Sequence, residues 1–213
     1  MLVTESEGKK REPVPADVYD AVCVTVVGIG TQVTKFGPKK KMHLGWELPE
    51  VIRDFDHEDG TVQKKRAVIH SRALTQGLGG SQKPTTLAEF LTGWRGRPFT
   101  EQERKGFDVK NVLGKSCRIN VTHDHVGDKV YDGVDSVLTA KNQIEPEARL
   151  VYFDVEEFDS LVECDAALAE FPPTLNWLAD KVRESEEYKA LLSGHANVGA
   201  ASDGGITDDD VPF

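Results

Sequence analysis

Polar and apolar side chains alternate in the first half of the chain with the two-residue period of β-strands. Residues 18–27 (VYDAVCVTVV) are rich in β-branched side chains and precede a Gly-x-Gly turn signal, which is typical of a strand that ends in a turn. Residues 42–48 and 61–74 form two further extended segments. The pattern therefore predicts three strands, with a basic Gly-Pro loop at 32–41 between the first two.

After the third strand, the pattern changes to the helical period. Thr86 and Glu89 stand at the spacing of a capping box, and Thr100 and Glu103 repeat this spacing before a short second turn. Between the two capping boxes, four apolar side chains recur at helical spacing: Leu87, Phe90, Leu91 and Trp94. We therefore predict one amphipathic helix in the middle of the chain.

Two more alternating segments follow this helix, at 116–122 and 129–138, and they predict a fourth and a fifth strand. The resulting order, β-β-β-α-β-β, is that of the five-stranded Greek-key barrel called the OB fold, in which the helix lies between strands three and four. SH3-like barrels and other small α+β folds show similar orders of elements. The OB fold is the architecture that this order favours.

The C-terminal third of the chain has a different composition. Pro172 and Pro173 precede apolar positions at helical spacing, which predicts a helix at about 174–192. From residue 193 the chain is rich in Gly, Ala, Ser and Asp, a composition typical of a flexible linker. We therefore predict a mainly β fold with helices in four parts: a flexible arm at 1–14, an OB-fold domain at 15–140, an extension at 141–192, and a disordered acidic tail at 193–213.

Charge is distributed unevenly along the chain. The 213 residues include 26 Lys and Arg against 36 Asp and Glu, a net charge of −10 that by itself argues against nucleic acid as a partner. Residues 151–213, however, hold 15 acidic and only 3 basic side chains, whereas residues 35–118 hold 10 acidic and 17 basic ones. A basic body with an acidic tail favours a polyanionic partner and a tail that competes for the same cations.

Several classes of protein are disfavoured by the sequence. No run of 18 apolar residues is present and the N-terminus is polar, so we expect neither a membrane span nor a secretory signal. The three cysteines, Cys23, Cys117 and Cys164, are too widely spaced for a zinc ribbon and odd in number for a disulfide framework. Nucleotide-binding and nucleophile motifs are missing, and His123 and His125 have no third ligand in view. We therefore predict no enzymatic activity, no cofactor and no metal.

Binding of single-stranded DNA requires cations along the phosphates and aromatic faces for the bases, and this chain has both. They cluster in the basic loop and the strand after it, at the third strand, and after the helix. The candidate DNA-binding residues are Lys35, Phe36, Lys39, Lys40, Lys41, Trp46, Lys64, Lys65, Arg66, Arg72, Arg95 and Arg97. Alternatively, the lysines form a solvated hairpin, the arginines are ordinary surface charges and Trp46 packs in the core.

The end of the chain is its most specific motif. It reads, after a glycine-rich spacer, Asp208, Asp209, Asp210, Val211, Pro212 and Phe213. This motif resembles the C-terminal tip of bacterial single-stranded DNA-binding proteins. The resemblance implies a docking segment for replication and repair enzymes, because carboxylates and an aromatic ring can enter one apolar pocket with a basic rim. A merely solubilising tail is the alternative.

The body of the chain resembles bacteriophage single-stranded DNA-binding proteins with an OB fold, over roughly residues 15–190. The similarity lies in five stretches: 19–27 with Gly30-Thr31-Gln32, Gly45-Trp46-Glu47-Leu48, Trp94-Arg95-Gly96-Arg97-Pro98-Phe99-Thr100, Gly106-Phe107-Asp108 and Leu113-Gly114-Lys115. Residues 73–83 depart from it, with a longer stretch before the helix. The resemblance implies sequence-independent binding of single-stranded DNA in phage DNA replication, recombination or repair, in the cytoplasm of the bacterial host.

The sequence leaves an alternative function open. An OB-like adaptor could bind host replication or repair proteins through the tip without binding DNA. A nuclease or annealing enzyme is a third, less favoured possibility.

Overall fold

The computed structural model describes residues 12–56, 61–80, 83–127 and 129–200. They form two compact units that are discontinuous in sequence. The first unit comprises Met1–Val26 and His43–Tyr152, and the second comprises Val27–Met42 and Phe153–Phe213. Residues 1–11 of the predicted arm and residues 201–213, which include the tip motif at 208–213, lie outside the described residues.

In the described ranges, seven strands form one sheet. They are β1 (Val18–Thr34), β2 (Gly37–Asp56), β3 (Val62–His70), β4 (Leu74–Thr75), β5 (Ser116–Val126), β6 (Lys129–Thr139) and β7 (Val151–Asp154). The main order is β3-β2-β1-β5-β6, while β4 pairs with β2 and β7 with β1. The antiparallel sheet curls into a half-barrel, which is compatible with an OB-like barrel. The prediction of a mainly β protein with helices is confirmed.

Five α-helices accompany the sheet in the described part of the chain. They are α1 (Thr86–Arg95), α2 (Glu101–Lys105), α3 (Leu161–Ala169), α4 (Asn176–Arg183) and α5 (Glu186–Ala200). The N-cap of α1 is Thr85 rather than the expected Thr86, because the Thr85 hydroxyl accepts the backbone N–H of Ala88. The capping box of Thr100 and Glu103 at the start of α2 is confirmed.

The first two strands are longer than their patterns predict. β1 continues to Thr34 and β2 begins at Gly37, so most of the expected loop at 32–41 is strand. Pro49 does not end β2. The pairing of β2 with β3 instead shifts register between Leu48 and Ile52. Such a bulge accommodates a proline inside a strand, because proline has no N–H to donate to the ladder.

The core of the first unit joins the sheet to α1. Trp46 on β2 is completely buried, and its ring centroid lies 6.2 Å from that of Phe90 and 6.3 Å from that of Trp94. Trp94 also donates its indole N–H to the carbonyl of Ser116 over 2.8 Å. The alternation of β5 places one of its faces in this core, since Cys117, Ile119 and Val121 are buried.

The second unit combines the β1–β2 turn region with the C-terminal helices. Thr31 donates through its backbone N–H and its hydroxyl to the carboxylate of Glu187, at 2.7 and 2.6 Å. The predicted helix at 174–192 is two helices in the structure. The chain breaks at buried Ser185, whose hydroxyl caps α5 by accepting the N–H of Tyr188. α5 then extends to Ala200, into residues for which the composition predicts a linker.

Candidate nucleic-acid interface

The turn between β1 and β2 presents an aromatic ring beside a cation. The Phe36 side chain is 78% exposed, and Lys35 Nζ lies 5.0 Å from the centroid of its ring. Thr34 fixes the turn: its hydroxyl donates to the carbonyl of Gly37 over 2.7 Å and accepts the N–H of Phe36. Gly37 has a φ of +88°, a conformation that glycine adopts without strain. The turn thus holds Phe36 in water although nothing in the fold requires an exposed apolar ring there.

The lysines that follow the turn have different surroundings. Lys39 is exposed, whereas Lys40 forms an ion pair with Glu156, and the hydrogen bond to this carboxylate raises the pKa of Lys40. Partial burial, together with the charge of Lys39, lowers the pKa of Lys41. Lys35 and Lys39 are therefore the two lysines of this set that are most open to a phosphate.

A second pair of a cation and an aromatic ring lies in the first unit. Lys65 Nζ stands 5.7 Å from the centroid of the Phe55 ring. The β2–β3 register places Arg53 opposite Lys65, so Arg53, Phe55 and Lys65 share one face of the sheet. Arg53 is held there by Asp132 at 3.4 Å and by the carbonyl of Glu12 at 2.9 Å. Lys64 is exposed on the opposite face.

Arg66 forms part of an internal ion-pair network. Its guanidinium donates to the carboxylates of Glu47 at 3.0 Å and Glu147 at 2.8 Å, and to the carbonyl of Glu145 at 3.0 Å. Glu47 is buried, and it also accepts the backbone N–H groups of Glu147 and Ala148. We therefore assign Arg66 to the attachment of the 145–148 segment rather than to a phosphate contact.

The substitution Arg66→Gln is expected to lower the free energy of unfolding by about 1–3 kcal/mol, because the buried carboxylate of Glu47 loses its cation. The affinity for single-stranded DNA should stay unchanged. Lys64→Gln is the matched control for stability, since it removes an exposed cation two residues away on the same face and should leave the free energy of unfolding unchanged. Its DNA affinity should fall, because Lys64 is one of the candidates for a phosphate contact. Urea titration and DNA binding of both variants check this assignment. A loss of DNA affinity in Arg66→Gln at unchanged stability would contradict this assignment and show that Arg66 contacts DNA.

Arg95 and Arg97 share a carboxylate. Both guanidinium groups pair with Glu103 of α2, and Arg97 Nη2 lies 2.7 Å from its Oε1. The hydrogen bonds from Arg97 and from the Thr100 backbone lower the pKa of Glu103 to about 2. Arg95 also stacks on the rings of Phe99 and Phe107, with its Cζ 4.3 and 5.4 Å from their centroids. These contacts connect α1 to α2. Each of the two arginines is paired with a carboxylate of its own unit.

The candidates from the sequence thus fall into separate groups. Exposed side chains that could contact DNA are Lys35, Phe36, Lys39, Lys64, Lys65 and Arg72. Lys40, Arg66, Arg95 and Arg97 pair with carboxylates inside their own unit, and Lys41 is half-buried. The ring of Trp46 is completely buried and offers no face to a base, so we assign it to the core.

Two exposed aromatic residues are not among the candidates from the sequence. Tyr131 on β6 is 48% exposed and Trp177 on α4 is 40% exposed. Val137 on β6 is buried in the core. Strict alternation along the strand would place Tyr131, six residues earlier, on the same core face. The β5–β6 register, however, pairs Asn120 with Ser136 and Val121 with Val134, so a bulge at Asp135 turns Tyr131 outward.

No protein-family model and no curated protein matches the chain. None of the helices in the described ranges is long and apolar enough to cross a membrane. The same ranges contain no group of three or more His, Cys, Asp or Glu side chains that could hold a metal ion. His123 instead donates from Nε2 to the carbonyl of Val14 over 2.7 Å.

Proposed function

We propose that the chain binds single-stranded DNA without sequence preference through an OB-like barrel, in DNA replication, recombination or repair. The observation that carries this proposal is the exposed Phe36 ring beside Lys35. The hydrogen bonds of Thr34 fix the turn that presents this ring, so its face is held open to a ligand. A solvent-exposed ring next to a cation is the arrangement that a stacked base and its phosphate require.

The order of the strands supports a five-stranded OB barrel. In that fold the first strand lies between the second and the fourth, the helix connects the third to the fourth, and the ligand lies near the second and third strands. The order β3-β2-β1-β5-β6, with α1 between β3 and β5, has the same connectivity. Lys64, Lys65 and Phe55 belong to the two strands that would face DNA.

The experiment that tests the function is a binding titration of the full-length chain with labelled oligothymidine and with a duplex of the same length. We expect single-stranded DNA to bind more tightly than the duplex. The logarithm of the affinity should fall linearly with the logarithm of the salt concentration, with a slope of about −0.7 for each phosphate that a lysine contacts. An affinity that does not change between low and high salt, or no binding at all, would contradict the proposal.

A second candidate function is an adaptor that binds replication or repair proteins without binding DNA. The ion pairs of Lys40, Arg66, Arg95 and Arg97 favour it, because they reduce the number of cations that are open to phosphates. In either function, residues 208–213 would recruit partner enzymes through their carboxylates and the Phe213 ring. Absence of a gel shift with oligothymidine, together with binding of a replication or repair enzyme, would favour the adaptor.

A further inference from the structure

The part of the β1–β2 hairpin that carries Phe36 is a narrow ribbon, residues 27–42, which belongs to the second unit together with the C-terminal helices. In the described ranges, β5 pairs with β1 over Val18–Val22 and β3 pairs with β2 from Gly45 onward, so neither strand extends along the ribbon. A ribbon of two strands is only marginally stable in water by itself. The direction of the Phe36 ring therefore depends on what holds the ribbon inside its own unit.

Glu187 on α5 holds the first strand of the ribbon. Its carboxylate accepts the backbone N–H of Thr31 over 2.7 Å and the Thr31 hydroxyl over 2.6 Å. Burial opposes ionisation of this carboxyl, but the hydrogen bonds from Thr31 outweigh the burial and lower the pKa of Glu187. At neutral pH both bonds therefore end on a charged acceptor, which makes them stronger than bonds between neutral groups. Glycine at position 30 permits this approach, because a Cβ there would lie 2.5 Å from Glu187 Oε2.

Two further contacts attach the ribbon to the same helical part of the unit. Gln32 donates from its side-chain Nε2 to the carbonyl of Lys181 on α4, over 2.9 Å. On the second strand, Lys40 pairs with Glu156, which lies in the short helical turn after β7. Both strands of the ribbon are thus fixed a few residues away from the exposed Phe36 ring.

We propose that the C-terminal helices of the second unit hold the ribbon in the orientation in which it binds DNA, with Glu187 as the positioning residue. The inference rests on the proposed function of Phe36 and Lys35. A preorganised surface binds its ligand more tightly than one that must first be ordered, because less conformational freedom is lost on binding. Charge alone gives Glu187 the opposite effect, since a carboxylate near the lysines of the ribbon repels phosphates. A loss of DNA affinity on removal of this carboxylate therefore reports position and not charge.

The test compares Glu187→Ala with Glu186→Ala in the full-length chain. Both variants remove one carboxylate from the first turn of α5, but Glu186 is exposed and the hydrogen bonds of Thr31 end on Glu187. Glu187→Ala should weaken the binding of oligothymidine roughly 3- to 10-fold, because the ribbon must then be ordered on binding. Glu186→Ala should not weaken it. Glu187→Gln keeps an oxygen that accepts from Thr31 and should restore most of the lost affinity.

A spin label reports the mobility of the ribbon in the absence of DNA. Val33 is 82% exposed and the native cysteines are buried, so a nitroxide attaches selectively to the thiol of a Val33→Cys variant. Its spectrum should show greater mobility when Glu187→Ala is added. Thr31→Val removes the hydroxyl bond from the other side and should have a smaller effect of the same sign on mobility and on DNA affinity. Glu186→Ala should leave the spectrum unchanged.

The outcomes separate this inference from the proposed function. Unchanged spectra in Glu187→Ala and Thr31→Val would overturn the inference alone, and so would equal DNA affinities of Glu187→Ala and a wild-type chain that binds oligothymidine. A wild-type chain that binds no oligothymidine would contradict the proposed function, and the inference would fail with it. Circular dichroism checks that each variant is folded. Where Glu187→Ala is not, Thr31→Val decides both measurements.

Discussion

Replacing Phe36 by alanine is expected to weaken the binding of oligothymidine by roughly 5- to 150-fold, which corresponds to about 1–3 kcal/mol for one stacked base. The ring is 78% exposed, and the Lys35 ammonium lies beside it. The substitution therefore removes a stacking surface without opening a cavity. Fluorescence anisotropy with labelled oligothymidine measures the affinity, and urea titration should show unchanged stability.

The same hairpin provides a matched control for this prediction. Val33 is 82% exposed, so Val33→Ala also removes exposed apolar area, but it removes no aromatic face. Its affinity for oligothymidine should equal that of the wild-type chain. Phe36→Trp should retain binding and add a fluorophore that a stacked base quenches. Unchanged affinity in Phe36→Ala, or the same loss in Val33→Ala, would show that the turn does not stack a base.

Trp46→Ala is expected to lower the free energy of unfolding by about 3–5 kcal/mol, since it leaves a large cavity between the sheet and α1. The buried ring contacts Phe90 and Trp94, so its removal disrupts packing on two turns of the helix. Trp46→Phe should cost less. No acceptor among the described residues reaches the buried Trp46 Nε1, so phenylalanine removes an unsatisfied donor along with part of the volume. Urea denaturation measures both changes.

The Trp46 variants also separate stability from binding. Trp46→Phe should bind oligothymidine with unchanged affinity under conditions in which it is fully folded. Trp177→Phe is the control for the spectroscopic effect of losing one indole, because Trp177 is partly exposed on α4 and should contribute little to stability. A loss of DNA affinity in Trp46→Phe at unchanged stability would restore Trp46 as a stacking residue and contradict its assignment to the core.

Each of the two compact units contains an exposed lysine beside an aromatic ring: Lys35 beside the exposed ring of Phe36, and Lys65 beside the half-buried ring of Phe55. Sequence reasoning found three of these four side chains, because cations and aromatic residues cluster along the chain. Phe55 was not among the candidates, since its role depends on the β2–β3 register that places it near Lys65. Local composition therefore identified the two lysines and Phe36, but not the ring that the strand register brings near Lys65.

Some elements were predictable because their signals are local. The period of α1, the capping box of α2 and the alternation of β5 each arise from residues a few positions apart, and the structure has all three. The ends of β1 and β2 were not predictable. Pro49 is a strong local signal for the end of a strand, yet a bulge against β3 accommodates it, and pairing with the next strand outweighs the local preference.

The sequence by itself determined the order of the five long strands with α1 after the third of them, the apolar stripe of α1 and the separation of a basic body from an acidic C-terminal part. Each of these follows from the spacing or composition of neighbouring residues. Only the tertiary structure decided which cations are neutralised and which aromatic rings face water. Arg66 meets Glu147 and Lys40 meets Glu156 across long stretches of chain, and the same kind of long-range packing buries Trp46 under α1 while Phe36 remains exposed. The physical reason is that charge pairing and burial depend on distances in the folded molecule, whereas a sequence pattern records only distances along the chain.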